Sequence, residues 1–488
     1  MGLAGVLLSL ALLVWLAFRG WSVLLLAPAA ALLAAGVAGE PLLAHWTQTF
    51  MGAAGRFVAQ FFPLFLLGAL FGKLMEDSGS VAAIARRMTA WLGERRAILA
   101  VVLAGAAVTY GGVSLFVAIF VLVPMAQALF RQAGIPRRLM PAAVALGTST
   151  FTMSALPGTP AIQNAIPMPF FGTTSFAAPG LGLVASAIML GVGLWWLGRA
   201  EAAARHAGEG FGGGEEPPPP EPAERAADDP LVRERAVASR EFDPAEIHRS
   251  RPGDTEPPAL LAALPLVVVV AVNLVLSLVV LPRVDAGFLA EPRWGGTSLA
   301  AVAGIWSVAT ALAAAILVLV LVSGFRVPSL RASADAGANA SALPILSVAS
   351  LVGFGAVVAD LPAFAAVRDW VLGIGGGLLV SLAAATNILA ALTGSASGGL
   401  TIALDALAET YMRLATEQGI DPGLLHRVAV IGAGTLDSLP HNGAVVTLLA
   451  VCGCTHRESY LHIVMACIVS ALAALVAVIL LGSLLGSF

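Results

Sequence analysis

From residue 139 to residue 198 the chain runs 60 residues without an Asp, Glu, Lys or Arg. A water-soluble fold cannot leave such a length uncharged, because its surface helices need a polar face. Two further runs, 97–130 and 370–404, are free of charge for 34 and 35 residues. Hydrophobic residues make up 58% of the chain and charged residues 11%, against about a quarter charged in soluble proteins. The solvent of this chain is therefore partly lipid. A secreted disulfide scaffold, a disordered protein and a nucleic-acid binder are excluded. The net charge of −3 leaves no basic face for phosphates. The three cysteines, Cys452, Cys454 and Cys467, set no disulfide framework and read as small helix residues rather than metal ligands.

Charge is instead concentrated in one place. Residues 199–257 hold 22 of the 55 charged residues and include Pro217 to Pro220. Such a stretch cannot bury enough apolar surface to fold, so it is expected to be a disordered cytoplasmic linker. It divides the chain into two apolar halves, 1–198 and 258–488. The runs before Arg19 and between Arg19 and Glu40 lack a preceding basic region, so no signal peptide is expected.

A span needs about 20 apolar residues. Runs of 34 and 35 are long for one span and short for two with a loop. Each has a small polar centre, Thr109 to Ser114 in the first and Thr393 to Gly399 in the second. Non-helical backbone at membrane depth survives only where protein or a wet cavity satisfies it. Two half-length helices meeting at such a tip make a re-entrant hairpin, expected at about 97–130 and about 370–414. Arg86, Arg87, Arg95 and Arg96 precede the first hairpin; Arg131, Arg137 and Arg138 follow it. Positive loops stay cytoplasmic, so both flanks lie on one side. The second hairpin has the poorer flanks Arg368, Arg413 and Arg427 among acids, and is expected to enter from outside.

The halves resemble each other. Gly111-Gly112-Val113-Ser114 recurs as Gly398-Gly399-Leu400-Thr401, Gly134-Ile135-Pro136 as Gly419-Ile420-Asp421-Pro422, and Ser154 to Pro157 as Asp437 to Pro440. The offset stays between 283 and 287. With Arg-rich loops inside, the first repeat starts outside and the second starts inside. The expected fold is an all-α polytopic membrane protein of two inverted-topology repeats. Each repeat has about five spanning helices and one hairpin. Broken helices are expected at about 139–169 and about 425–452.

The stretches from Gly111 to Phe120, from Ser154 to Asn164 and from Thr435 to Gly443 resemble the gluconate:proton symporter (GntP) family. Pro160 to Asn164, Phe171 to Thr174 and Asp437 to Gly443 are most similar to its D-β-hydroxybutyrate permease branch. The resemblance covers roughly 55–200 and 340–488. It implies proton or sodium symport of small organic anions across the bacterial inner membrane, a moving transport domain on a scaffold, often a homodimer, and no cofactor.

An anionic hydroxy acid needs hydrogen-bond donors, and half-helix N-termini supply them. The tips offer Tyr110, Gly111, Gly112, Ser114, Ser395, Ser397 and Gly398. The breaks offer Thr150, Thr152, Ser154, Gly158, Thr159, Asn164, Ser438, Asn442 and Gly443. The competing account is that small residues pack helices closely in lipid. Ionisable groups within a membrane are costly, so Asp437 and His441, flanking Pro440, are candidates for the coupling proton. The plainer account has Asp437 capping the half-helix after Pro440 and His441 a satisfied core residue. Asp405, six residues past Gly399, is a further coupling candidate. Glu76, Asp77 and Asp360 read as solvated helix ends, and Lys73, the one lysine, as a snorkelling side chain. Trp195 and Trp196 read as an interfacial belt. The motifs Gly-x-Ser-x-Gly and His-Glu-x-x-His are absent, so no hydrolase is expected. The competing function is a sodium-coupled symporter of di- or tricarboxylates; Asp437 and the scarcity of intramembrane cations favour protons and a singly charged substrate.

Overall fold

The computed structural model describes residues 2–18, 21–93, 96–113, 115–212, 257–440 and 442–488, and every regular element among them is helical. Six of these helices are long and apolar enough to cross a bilayer: Leu42–Asp77, Pro179–His206, Ala259–Arg283, Leu299–Arg326, Leu330–Asp360 and His456–Leu485. Fewer long helices form than the roughly ten expected, because much of the apolar sequence is cut into shorter pieces. Gly2–Phe18 and Val23–Ala38 have 17 and 16 residues. The uncharged run 139–198 is not continuous helix either. It breaks after Thr148, passes through three helices of at most five residues, and resumes at Pro179.

Where each hairpin was expected, the chain forms a pair of short helices in succession. The first is Ala97–Tyr110 followed by Leu115–Gln132. The second is Leu378–Thr393 followed by Ala396–Gln418. Its arms touch at Gly399, where a side chain would strike the Ala390 backbone. Each hairpin is followed by an interrupted helix. Met140–Thr148 ends at Ser149, and Pro422–Thr435 stops before a loop that leads to Gly443–Val451. Each interrupted helix crosses the first arm of its own hairpin at a glycine. Gly147 lies on the Val102 carbonyl and Gly432 on Thr386, both too close for a Cβ. Only glycine allows backbones to approach so nearly.

The order of elements in 2–206 recurs in 259–485: two helices, a long helix, a short helix, a hairpin, a broken helix and a closing helix. The halves are not separate bodies. Leu42–Asp77 packs on Ala342–Asp360 and Pro179–His206 packs on Ser470–Leu485. One apolar core draws Phe57 and Phe71 together with Leu312 and Val348, and another draws Leu181 together with Leu400 and Leu475.

Two readings of charge change. Lys73 does not reach an interface. It is 1% exposed, and its Nζ lies 3.2 Å from Asp77 and 3.4 Å from Glu76. Asp77 is 2% exposed and accepts a hydrogen bond from Ser333 at 2.6 Å, so it is not a solvated helix end. A lone charge there would be costly, and pairing is what permits its burial. Pro179–His206 also continues eight residues into the stretch assigned to the linker, and 213–256 lies outside the described residues.

Candidate functional site

At the first tip the chain turns through Gly111 and Gly112. Gly112 has φ +97, a conformation L side chains rarely adopt, and its missing Cβ would press on Pro160. Tyr110 then ties tip to break, its hydroxyl donating to the Pro157 carbonyl at 2.7 Å. The break itself is a polar knot. Gly158, at φ +81, donates its N–H to the Ser175 carbonyl, while its own carbonyl accepts from Asn273 at 3.0 Å. Asn164 donates to the carbonyls of Thr159 and Ser175 at 3.1 and 3.0 Å.

The second tip turns at Gly394, and Ser395 caps the returning helix by accepting from Gly398 N–H. Asp437 accepts from Ala396 N–H at 2.8 Å and from the Asn442 amide at 2.9 Å. The same Asn442 amide donates to the Gly394 carbonyl, while its oxygen caps Gly443–Val451 through Ala444 N–H at 2.7 Å. Asp437 thus caps the hairpin's returning helix, and Asn442 fills the cap that the plainer account gave to Asp437.

The two breaks cross each other through Arg427. It was expected in a loop flanking the second hairpin, but it is wholly buried in the helix Pro422–Thr435. Its guanidinium donates to the carbonyls of Ala177 at 2.7 Å and Ser154 at 3.2 Å. His426 beside it meets Thr173 Oγ1 at 2.7 Å and Asn164 Oδ1 at 3.1 Å. The carbonyls freed by the first break are thereby satisfied by side chains of the second half.

A cavity of about 140 Å³ opens where the first tip and break face the crossed helices. Thr109, Gly112 and Leu115 line it from the hairpin, Met153, Pro160 and Gln163 from the break. Leu64 to Ala69 and Ala340 to Val348 contribute the opposite wall, and Ser397 reaches in from the second hairpin. No charged side chain lines it among the described residues.

Comparison with known proteins bears on this architecture. The family model described as citrate transporter (CitMHS) matches residues 10–302. An uncharacterized transporter of Bacillus subtilis (strain 168), YxjC, is 39% identical over 488 residues, covering 99% of this chain and 98% of its own length. The chain belongs to the citrate transporter family. It is accordingly a multi-pass membrane transporter, and the cavity lies among its helices.

Of the residues expected to bind substrate in this transporter, Gly112 and Ser397 line the cavity. Most of the others serve the protein. Thr150, Thr152 and Ser154 each bond a carbonyl four or five residues back. Gly111 touches Leu266 of Ala259–Arg283 too closely for any side chain, and Gly398 is closed off by Leu351. Thr159, Gly158 and Asn164 belong to the polar knot, and Ser395, Asn442 and Gly443 to the caps. Ser438 is buried and its carbonyl accepts from Tyr460. Asp405 is exposed on its helix and does not line the cavity. Ser114 and His441 lie outside the described residues. Sequence reasoning missed Thr109, Ser341 and Gln163. Gln163 stood beside the chosen Asn164, and only the orientation of the single helical turn Ile162–Ala165 separates their roles.

One charged cluster sits outside the spans. Arg138 grips Glu209 with two hydrogen bonds of 2.8 Å. That contact holds the Glu209 carboxyl below its ordinary range and raises the guanidinium in turn.

Proposed function

We propose that this transporter imports a small hydroxy-monocarboxylate, of the gluconate or 3-hydroxybutyrate class, with protons by alternating access in the cell membrane. The cavity carries the reading. No charged side chain lines it among the described residues, so a singly charged anion held by neutral groups fits better than a trianion, whose burial would require paired cations. Its size is near that of a cavity of about 150 Å³ that holds benzene. 3-Hydroxybutyrate is of that order; gluconate and citrate are each about twice as large, so size favours the 3-hydroxybutyrate end of the class and charge alone separates gluconate from citrate. The resemblance of the tip and break motifs to the GntP family supports the same class.

The recurring order of elements supports two inverted repeats, 1–198 and 258–488, joined by a cytoplasmic linker, with the hairpins entering from opposite sides. Gly112 and Ser397 are assigned to the substrate. Asp437 is assigned the coupling proton. Its carboxylate holds the Ala396 N–H of the second tip, one residue from Ser397, so protonation there weakens the staple beside the cavity. The first half has Ser154 at the matching place, so coupling is asymmetric. A second reading is sodium-coupled uptake of di- or tricarboxylates, and the description of the family as citrate transporters favours its tricarboxylate part.

The test is uptake of labelled 3-hydroxybutyrate, gluconate and citrate into proteoliposomes under an imposed pH or sodium gradient. Uptake of a monocarboxylate driven by the pH gradient is expected. Uptake of citrate alone, or only with sodium, replaces this reading with the second.

A further inference from the structure

We propose that Gln163 is the side chain by which the cavity holds the carboxylate of its anion. The proposal rests on the cavity being the transport site, but not on which acid is carried. Gln163 is 5% exposed and lines the cavity, and its side chain makes no hydrogen bond among the described residues. Its amide is not among the fully enclosed polar groups that lack a partner; it opens onto the cavity, with two donors and an acceptor left for whatever enters.

The other polar groups around the cavity are already engaged. Thr109 donates to the Gly105 carbonyl at 2.8 Å, and Ser341 to the Ala338 carbonyl at 2.7 Å. The Ser397 hydroxyl is shared with that of Ser395 at 3.2 Å. The backbone donors expected to receive the anion are engaged too. Gly112 N–H bonds Thr109, Ala396 N–H bonds Asp437, and Gly398 N–H bonds Ser395. A carboxylate accepts and does not donate, so it needs N–H or O–H groups. Gln163 supplies two of them on one flat group.

Its neutrality matches the task. A buried cation would bind the anion at a large desolvation cost and release it slowly, whereas an amide needs no counter-charge in the empty state. The apolar wall of Leu64, Phe65 and Leu115 then takes the hydrocarbon part of the ligand.

The test uses the full-length protein purified in detergent, with thermal unfolding followed against 3-hydroxybutyrate, gluconate and citrate. Gln163→Leu removes the donors, and Gln163→Glu keeps the shape but places a carboxylate opposite the ligand's own. Wild type is expected to be stabilised by at least one acid. Gln163→Leu should need about tenfold to a hundredfold more of it, the range for a hydrogen bond to a charged group, and Gln163→Glu should not respond at neutral pH. Stabilisation by citrate alone, lost in both variants, upholds Gln163 and overturns the monocarboxylate reading. A monocarboxylate response unchanged in either variant that folds overturns Gln163 and leaves that reading standing. A wild type stabilised by none of the three overturns both.

Discussion

At the first tip a phenol hydroxyl, that of Tyr110, reaches the Pro157 carbonyl; at the second a carboxylate, that of Asp437, takes the Ala396 N–H. The two hairpins occupy matching places in the order of elements, yet one is tied to its break by a group neutral across the physiological range and the other by an acid. The breaks differ in the same way. The carbonyls of the first are held by Arg427, and its Thr173 and Asn164 side chains by His426; Arg427 and His426 are both buried. The second is held by Asn442, whose amide and carbonyl serve three partners within its own half. The difference teaches where a proton can act. Among the described residues of the first half no carboxylate takes part in the bonds that tie the tip to the break. In the second half one does.

The comparison breaks most completely at Arg427. Arg427→Met leaves the Ala177 and Ser154 carbonyls buried without donors, and each lost hydrogen bond to a charged group is worth about 1.5–3 kcal/mol. Little folded protein should be recovered, as read by monodispersity in detergent and thermal unfolding. Wild-type recovery would mean that water satisfies the first break. Next is Asp437→Asn. The amide oxygen can still accept from Ala396, so the tip should stay in place. Uphill uptake should be abolished while exchange of substrate continues. Normal accumulation would remove Asp437 from coupling.

A smaller effect separates the staples themselves. Asn442→Ala loses a helix cap, about 1 kcal/mol, as well as the bond to Gly394. Tyr110→Phe loses a single neutral hydrogen bond, about 1 kcal/mol or less. Asn442→Ala should therefore lower the melting temperature more, and equal shifts would count against the contrast. The smallest effect lies outside both sites. Arg138 holds the Glu209 carboxyl below its ordinary range, so the pair's contribution is fully present at neutral pH. It is lost as pH falls below the usual glutamate range and through the depressed folded value. Being partly exposed, the pair is worth about 1 kcal/mol at most. Glu209→Gln should flatten the acid side of a stability–pH curve slightly, with no change at either tip.

The interruptions of helix were legible because a polar break in a long apolar run is a local signal. Thr109 to Ser114 enclosed the first turn, and Gly394 and Ser395 fell within the stretch chosen for the second. What the tips face was not legible. Leu64 to Ala69 and Ala340 to Val348 are ordinary apolar helix, and their place opposite the first break follows from tertiary packing alone. The charges failed for a related reason. Lys73 and Arg427 look like surface residues in any sequence count, since it is their partners, among them Asp77 and Glu76 for Lys73 and the carbonyls of the first break for Arg427, that make burial tolerable. Asn164 and Gln163 are adjacent in the chain but face different tasks, one knotting the break and one bordering the cavity. Composition cannot resolve about 100° of rotation on one helical turn.

The interlocking of the halves has a consequence for the connection between them. Leu42–Asp77 lies on Ala342–Asp360, and Pro179–His206 lies on Ser470–Leu485, so the halves are joined by the same kind of core that holds a single domain. Their union is made by packing between helices of the two halves. Topologically the molecule is a heterodimer whose subunits happen to share a chain. The geometry of the transport path is then set by the packed interface between the halves.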